Sequence, residues 1–202
     1  MIDELAALTG RGVSRETVEK LEAYQRLVKA EASRQNLVSK STLADFWSRH
    51  VLDSAQLLRL APARTRWADV GSGAGLPGIV IACLGAGPVT LIEPRRLRAE
   101  FLERVVGTLD LSATVHHGKA ESTTGSFDVV TARAVGSLTK LLDISHHLST
   151  GKTLFLFPKG KSAQSELAEA KRTWQAAFHV ERSAVDADSL IILAREVRRR
   201  SR

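Results

Sequence analysis

The sequence has few of the features that mark secreted or membrane proteins. Its 202 residues contain one cysteine, Cys83, so neither a disulfide framework nor a thiolate metal site can form. No apolar run approaches the roughly 18 residues that a membrane span requires. Residues 1–4 lack the basic region and the apolar stretch of a signal peptide. We therefore expect a cytoplasmic protein that binds no membrane.

Proline and metal ligands are equally sparse. The 5 prolines mark no long linker between domains. Two pairs of adjacent histidines, at residues 116–117 and 146–147, have no cysteine or carboxylate at ligand spacing. Adjacent side chains also point apart on a strand or a helix, so we expect no metal site.

The residues that are present describe an ordinary globular chain. Hydrophobic residues make up 44% and charged residues 25%, which excludes a disordered protein. The length predicts one domain, or one domain with a small appendage. The formal charge of +7 is concentrated at the C-terminus, where residues 195–202 carry five arginines and one glutamate. This excess suggests a polyanionic partner, most simply nucleic acid, and a solvated, frayed tail is the alternative.

Two regions of the chain differ in their hydrophobic pattern. Residues 14–33 have apolar positions at helical spacing with Ser14 as the N-cap, and a second helix is predicted over residues 42–60. We therefore expect residues 1–62 to form a helical cap. Residues 63–202 are expected to form the core on which this cap packs, and the two together to form one compact unit.

The core alternates short apolar runs with helical stretches, which is typical of an α/β fold with a mostly parallel sheet. Seven strands are predicted at residues 66–70, 89–93, 114–117, 127–132, 153–157, 178–183 and 190–194. Helices are predicted at residues 76–84, 95–109, 138–148 and 163–177. The connection at residues 185–189 is too short for a parallel crossover, so the sheet should end in an antiparallel hairpin.

A glycine-rich loop follows the first of these strands. Three glycines at alternate positions, Gly71, Gly73 and Gly75, let the backbone turn tightly and approach a ligand at the start of a helix. Gly73, Gly75 and Gly78 also satisfy the G-x-G-x-x-G pattern of dinucleotide-binding proteins. Taken alone, the loop therefore leaves two classes of ligand open.

The context of the loop favours one of them. Asp69 precedes Gly71 by two residues, and Glu93 ends the next strand. The resulting Asp-x-Gly-x-Gly-x-Gly pattern resembles the first motif of class I S-adenosylmethionine-dependent methyltransferases. The resemblance implies a Rossmann-like fold, Asp69 beside the methionine part of the cofactor and Glu93 on its ribose. It also implies that Ala120 and Glu121, after the third strand, lie beside the adenine.

The residues after the fourth strand bear on the methyl acceptor. An exocyclic base nitrogen is usually methylated with an Asn/Asp-Pro-Pro-aromatic motif, whereas this chain has Thr-Ala-Arg-Ala-Val at residues 131–135. A base carbon requires a cysteine nucleophile near the acceptor, and Cys83 lies in the first helix after the glycine loop. Guanine N7 presents an unprotonated lone pair and needs no catalytic base. This pattern favours guanine N7.

Several ordered motifs resemble those of the RsmG (GidB) family of 16S rRNA guanine-N7 methyltransferases. The motifs are Asn36-Leu37, Arg49-His50-Val51-Leu52-Asp53-Ser54, residues 69–78, residues 131–134 and Pro158-Lys159-Gly160. The resemblance implies that the substrate is guanosine 527 in the 530 loop of 16S rRNA. The cofactor positions that it implies, with the loop residues above, are Asp69, Gly71, Gly73, Gly75, Leu76, Glu93, Ala120, Glu121 and Arg133.

We expect Arg133 and Lys159, at the ends of the fourth and fifth strands, to be the catalytic residues. Arg133 has no acidic partner nearby in the sequence. Asp53 is expected to tie the cap helix to the edge of the sheet. Substrate-binding residues are expected at Asn36, His50, Lys119 and Lys159, and a structural role for His50 is as consistent with the sequence.

Three alternatives remain open from the residues alone. A small-molecule methyltransferase would share the cofactor half of the site, and an NAD-binding oxidoreductase would share the glycine loop. A non-catalytic RNA-binding module would share the basic charge. We expect the partner to be 16S rRNA or the small ribosomal subunit, and we expect the protein to be a monomer.

Overall fold

The computed structural model describes residues 1–201, apart from the side chain of Lys40, and contains one seven-stranded sheet. The strands are β1 (Trp67–Val70), β2 (Val89–Glu93), β3 (Ala113–His117), β4 (Val129–Thr131), β5 (Leu154–Lys159), β6 (Trp174–Arg182) and β7 (Leu190–Arg199). Their order is β3-β2-β1-β4-β5-β7-β6, and β1 to β5 are parallel. β7 runs antiparallel to both β5 and β6, so the predicted terminal hairpin is confirmed.

Helices cover both faces of the sheet. They are α1 (Ile2–Thr9), α2 (Arg15–Glu31), α3 (Lys40–Ala44), a π-helix (Trp47–Leu52), α4 (Asp53–Ala55), α5 (Leu57–Leu60), α6 (Gly78–Cys83), α7 (Arg96–Thr108), α8 (Leu138–Ser145) and α9 (Ala163–Thr173). Single 3₁₀ turns cover Ala120–Ser122 and His146–Leu148. None of the helices in residues 1–201 is long and apolar enough to cross a membrane.

Alternation along β1 divides the core into two hydrophobic layers. Trp67 packs with α2, α6 and α7 on one face, and Ala68 packs with α8 and α9 on the other. The cap contributes Leu5, Tyr24 and Phe46 to the first layer, all of them fully buried. Residues 1–60 and the core therefore bury a common set of side chains.

The cap departs from its predicted form after α2. Helix α2 matches its prediction closely, and the Ser14 hydroxyl accepts a hydrogen bond from the amide of Thr17 as an N-cap. The single helix predicted over residues 42–60 is wrong, because the chain leaves helical geometry at Asp45 and continues as a π-helix. Apolar spacing does not distinguish these forms, and π-helical turns occur frequently at functional sites.

The C-terminal segment is more ordered than the sequence predicted. Helix α9 ends at Thr173 and the buried Trp174 begins β6, whereas the sequence predicted a helix to residue 177. β7 continues to Arg199 rather than ending at residue 194. The Arg199 guanidinium lies 5.0 Å from the centre of the Trp174 ring and forms an ion pair with Asp143. A frayed tail is therefore wrong up to Arg199, and Arg202 lies outside the described residues.

Candidate functional site

The predicted site residues gather where the parallel strands end. In open α/β sheets, ligands bind outside the carboxyl ends of the strands. The order β3-β2-β1-β4-β5 brings the loop after β1 between the ends of β2 and β4. Glu93, the glycine loop, Arg133 and Lys159 thus lie along one edge of the sheet.

Glycine is required in the loop for two different reasons. Gly71 has a φ of +69°, and a Cβ there would lie 2.5 Å from Cγ2 of Val135 in the loop after β4. Gly73 has a φ of +58°, and a Cβ there would meet nothing closer than 3.7 Å. Gly71 therefore lets two loops approach each other, and Gly73 leaves the backbone open to a ligand.

Asp69 is a fully buried carboxyl group at the end of β1. Its Oδ2 accepts a hydrogen bond from the amide of Gly78 at 3.0 Å, while Oδ1 has no partner in the part of the chain that the structure describes. Burial raises the pKa of Asp69 to about 7, against the lowering effect of its hydrogen bonds. Asp69 therefore offers a buried acceptor that a cationic ligand would stabilise in its ionised form.

Glu93 is a second buried carboxyl group, and it organises the loop directly. Its Oε2 accepts a hydrogen bond from the amide of Gly73, and its Oε1 accepts one from the amide of Arg95, both at 2.8 Å. A carboxylate has about four acceptor positions, so each oxygen retains capacity for a hydroxyl donor. This arrangement fits the ribose contact that the family resemblance implies.

Arg133 follows β4 and is held by the cap. Its Nη1 donates to Oδ2 of Asp53 at 2.9 Å and to the Arg49 carbonyl oxygen at 3.2 Å. The expectation that Arg133 lacks an acidic partner is therefore wrong, because that partner lies 80 residues away in the sequence. The expectation that Asp53 ties the cap to the edge of the sheet is confirmed. Ala134, the next residue, has a φ of +58°, an unfavourable conformation for a residue with a Cβ.

His50 contacts the same guanidinium from the π-helix. Its Nδ1 lies 2.9 Å from Nη2 of Arg133, and the side chain is 7% exposed. Burial lowers the pKa of His50 to about 4, and the charges of Arg133 and Arg49 lower it further. His50 is therefore neutral at physiological pH.

Lys159, at the end of β5, is paired within the fold. Its ammonium group lies 2.8 Å from Oε2 of Glu166 and also donates to the carbonyl oxygen of Gly136. Burial opposes ionisation of Glu166, but hydrogen bonds from Lys159 and Ser162 outweigh it and lower the pKa of Glu166. The Lys159 side chain is only 9% exposed, which differs from the expectation that it faces RNA phosphates.

The remaining predicted residues lie around these groups. Ala120 is buried in the turn after β3, with Lys119 and Glu121 exposed on either side of it. Leu76 is buried in the glycine loop. The exposed Asn36 receives a hydrogen bond from Arg98 through its main-chain oxygen at 3.0 Å. The structure thus shows no side-chain role for Asn36.

Three cavities meet at Arg133 and Ala134. One of about 130 Å³ lies against the glycine loop and is walled by Leu37, Val38 and Arg98. A cavity of about 600 Å³ extends along the π-helix, and one of about 460 Å³ extends toward Lys159. Together they form a continuous groove of the size that ligand sites have. The sequence pattern did not identify Leu37, Val38 or Arg98 as site residues, because nothing local relates them to the loop.

The groove suits an adenosyl cofactor with a methionine side chain. Asp69 supplies an unpartnered buried acceptor, Gly73 an open backbone, and Glu93 a carboxylate beside the loop. In residues 1–201 no group of three or more histidine, cysteine or acidic side chains is placed to hold a metal ion.

Comparisons with known proteins agree with this geometry. A family model described as rRNA small subunit methyltransferase G matches residues 17–190. A ribosomal RNA small subunit methyltransferase G from Zymomonas mobilis subsp. mobilis is 42% identical over 196 residues, which cover 92% of this chain and 89% of that protein.

Solved structures show the same fold at low sequence identity. MtNAS in complex with S-adenosylmethionine has a TM-score of 0.59 at 15% identity, covering 88% of this chain and 74% of its own. The ribosomal protein L11 methylase from Lactobacillus delbrueckii subsp. bulgaricus has a TM-score of 0.57 at 17% identity, covering 76% of this chain and 79% of its own. The predicted class I methyltransferase fold is confirmed.

Proposed function

Because the chain belongs to the family of rRNA small subunit methyltransferase G, we propose that it methylates N7 of guanosine 527, in the 530 loop of 16S rRNA. S-adenosylmethionine is the methyl donor. The family membership supports the cofactor and the rRNA substrate, and the site supports the choice of a nitrogen that needs no deprotonation.

The observation that carries this choice is that the ionisable groups around the groove are engaged. Of the carboxylates that line it, Asp53 is paired with Arg133 and Glu166 with Lys159. His50 faces a guanidinium, and burial raises the pKa of the Cys83 thiol to about 12. An acceptor that must lose a proton, or a carbon that needs a thiolate, finds no ready partner among these groups.

The reaction then depends on position rather than on proton transfer. When bound, the cofactor supplies a methyl group on a positively charged sulfur, and displacement leaves that sulfur neutral. The lone pair of guanine N7 forms the new bond to carbon, so the positive charge moves onto the purine. Asp53 neutralises the charge of Arg133, which limits repulsion of this cationic product.

The residues divide into two sets in this proposal. The cofactor set is Asp69, Gly71, Gly73, Gly75, Leu76, Glu93, Ala120, Glu121 and Arg133. The target guanine, unstacked from the RNA, occupies the groove between the π-helix and β5. Exposed cations at its rim, Lys119, Lys161, Arg95 and Arg96, contact phosphates, and Lys159 shapes the wall through Glu166.

The decisive experiment is to compare 16S rRNA from cells with and without the gene, followed by reconstitution with purified protein. Loss of one N7-methylguanosine at position 527, restored by the protein and S-adenosylmethionine, would establish the reaction. Methylation that needs no RNA would instead indicate a small-molecule enzyme. Thermal stabilisation by NAD and not by S-adenosylmethionine would indicate an oxidoreductase. We also propose a cytoplasmic monomer, which sedimentation of the purified protein tests.

A further inference from the structure

We propose that His50 is a positioning residue for Arg133: its Nδ1 accepts a hydrogen bond from the guanidinium and so fixes that group relative to the cofactor pocket. The inference rests on the proposed function, because it assigns Arg133 to the cofactor side of the groove. It concerns how the cap controls the site rather than which groups touch the reactants.

The tautomer of His50 follows from the chemistry of its partner. A guanidinium has only donors, so the contact of 2.9 Å between Nη2 and Nδ1 requires Nδ1 to be the acceptor. The single proton of the neutral ring must then reside on Nε2. That atom is buried and has no hydrogen-bond partner within residues 1–201. An unpaired buried donor is unfavourable, and here it accompanies the bond that Nδ1 makes.

One short segment of the cap surrounds the guanidinium. The Arg49 carbonyl oxygen and His50 lie in the π-helix, and Asp53 begins α4 directly after it. These three acceptors bind two different nitrogens of Arg133, so they fix the orientation of its plane as well as its position. Asp53 supplies charge, and His50 supplies a neutral acceptor that adds direction.

The same buried row reaches the glycine loop on its other side. The Phe46 ring lies edge-on to His50 at 5.1 Å and to Tyr24 at 5.6 Å. The Tyr24 hydroxyl donates to the carbonyl oxygen of Ala74 at 2.9 Å. Arg133 and the glycine loop, which form opposite walls of the pocket, are therefore held by one row of cap side chains. We expect a change at His50 to alter cofactor affinity more than it alters folding.

The test uses two substitutions of nearly equal shape. In His50→Asn, Oδ1 is bonded to Cγ as Nδ1 is in histidine, so the acceptor is retained. In His50→Leu, a methyl group replaces that acceptor. S-adenosylmethionine binding by calorimetry is measured for the two variants and the wild type, together with kcat, the KM for the cofactor, and the thermal midpoint.

We expect His50→Leu to weaken cofactor binding about tenfold or more, the effect of losing a hydrogen bond to a charged group. His50→Asn should remain within about threefold of wild type, equivalent to well under the same bond. The change should appear in KM rather than kcat. The thermal midpoint of the Leu variant should equal or exceed that of the Asn variant, because leucine buries no unpaired donor.

A merely structural role predicts the opposite ranking. Under it the Leu variant, as the better-packed protein, would bind cofactor at least as well as the Asn variant, and this result would overturn the inference. Wild-type affinity in the Leu variant would overturn it as well. If the wild-type protein itself bound no S-adenosylmethionine, the proposed function would fail and the inference with it.

Discussion

The two ends of the groove are built in different ways. At the β1 end, Asp69, the glycines and Glu93 all lie within 25 residues of one another and are positioned by the strand and turn that carry them. At the β4 end, Arg133 depends on Asp53 and His50, which come from a different region of the chain. The first end is a local device and the second an assembled one, so their substitutions should fail differently.

The largest expected effect is at the assembled end. Arg133→Ala removes the group on which three cap acceptors converge, and we expect methylation of 16S rRNA to fall by a factor of about 100 or more, as for lost transition-state positioning. The fold should persist, since Arg133 lies outside the hydrophobic layers. Turnover by purified protein and the far-ultraviolet spectrum measure the two quantities. A rate near that of wild type would make Arg133 purely structural.

The control for that variant is Arg133→Lys. Lysine retains the charge and the ion pair with Asp53 but cannot bind two planar sites at once. If position matters, the Lys variant should remain far below wild type in cofactor affinity. Full activity in it would show that charge alone suffices and that the assembled end is less specific than the geometry indicates.

The second effect concerns the local end, where failure should include the fold itself. Gly71→Ala introduces a Cβ 2.5 Å from Cγ2 of Val135 at a φ of +69°. We expect a loss of about 2 kcal/mol or more in the free energy of unfolding, from left-handed strain of about 1 kcal/mol plus the clash. Denaturant unfolding measures it.

The chain supplies a matched control for this substitution. Gly10 ends α1 with a φ of +67°, and a Cβ there would meet nothing within 4 Å. Gly10→Ala therefore reports the strain alone. Equal losses for the two variants would contradict the close approach of the glycine loop and the loop after β4. A second change, Val135→Ala, should restore part of the stability of the Gly71 variant.

These contrasts explain how far the sequence could predict the structure. The parallel strands, the hairpin and the pattern around Asp69 and Glu93 are written in local spacing, and they were predicted closely. The pairing of Arg133 with Asp53 could not be, because it arises only when the cap folds onto the sheet. The π-helix was missed for the same reason, since its apolar residues have the spacing of an ordinary helix.

A third, smaller effect is a dependence on pH at the local end. The pKa of Asp69 in the folded protein is about 7, above the ordinary value of about 3.9 for an unfolded chain. The contribution of Asp69 to stability is therefore fully present below about pH 4 and is lost as the pH rises through 7. A cationic cofactor favours the ionised form, so affinity should rise about tenfold between pH 6 and 8.

Calorimetry across that range, with Asp69→Asn as the control, measures this dependence. The Asn variant keeps a buried polar side chain that does not ionise, so it should lose most of the variation with pH. An identical profile in both proteins would assign the variation to another group. His50 should contribute nothing to it in this range, because its pKa is about 4.

The smallest effect is expected far from both ends, at the arginines of β7. The register that places Leu190 beside Lys159 runs away from the groove and places Arg198 near the opposite edge of the sheet. Arg198→Gln should leave methylation intact and reduce the salt dependence of RNA binding by less than one phosphate contact. Arg199→Gln should instead lower thermal stability slightly, because Arg199 is paired with Asp143 and lies over Trp174. If Arg198→Gln abolished methylation, the basic excess of the chain would act on catalysis itself, and the division of labour between groove and periphery would be wrong.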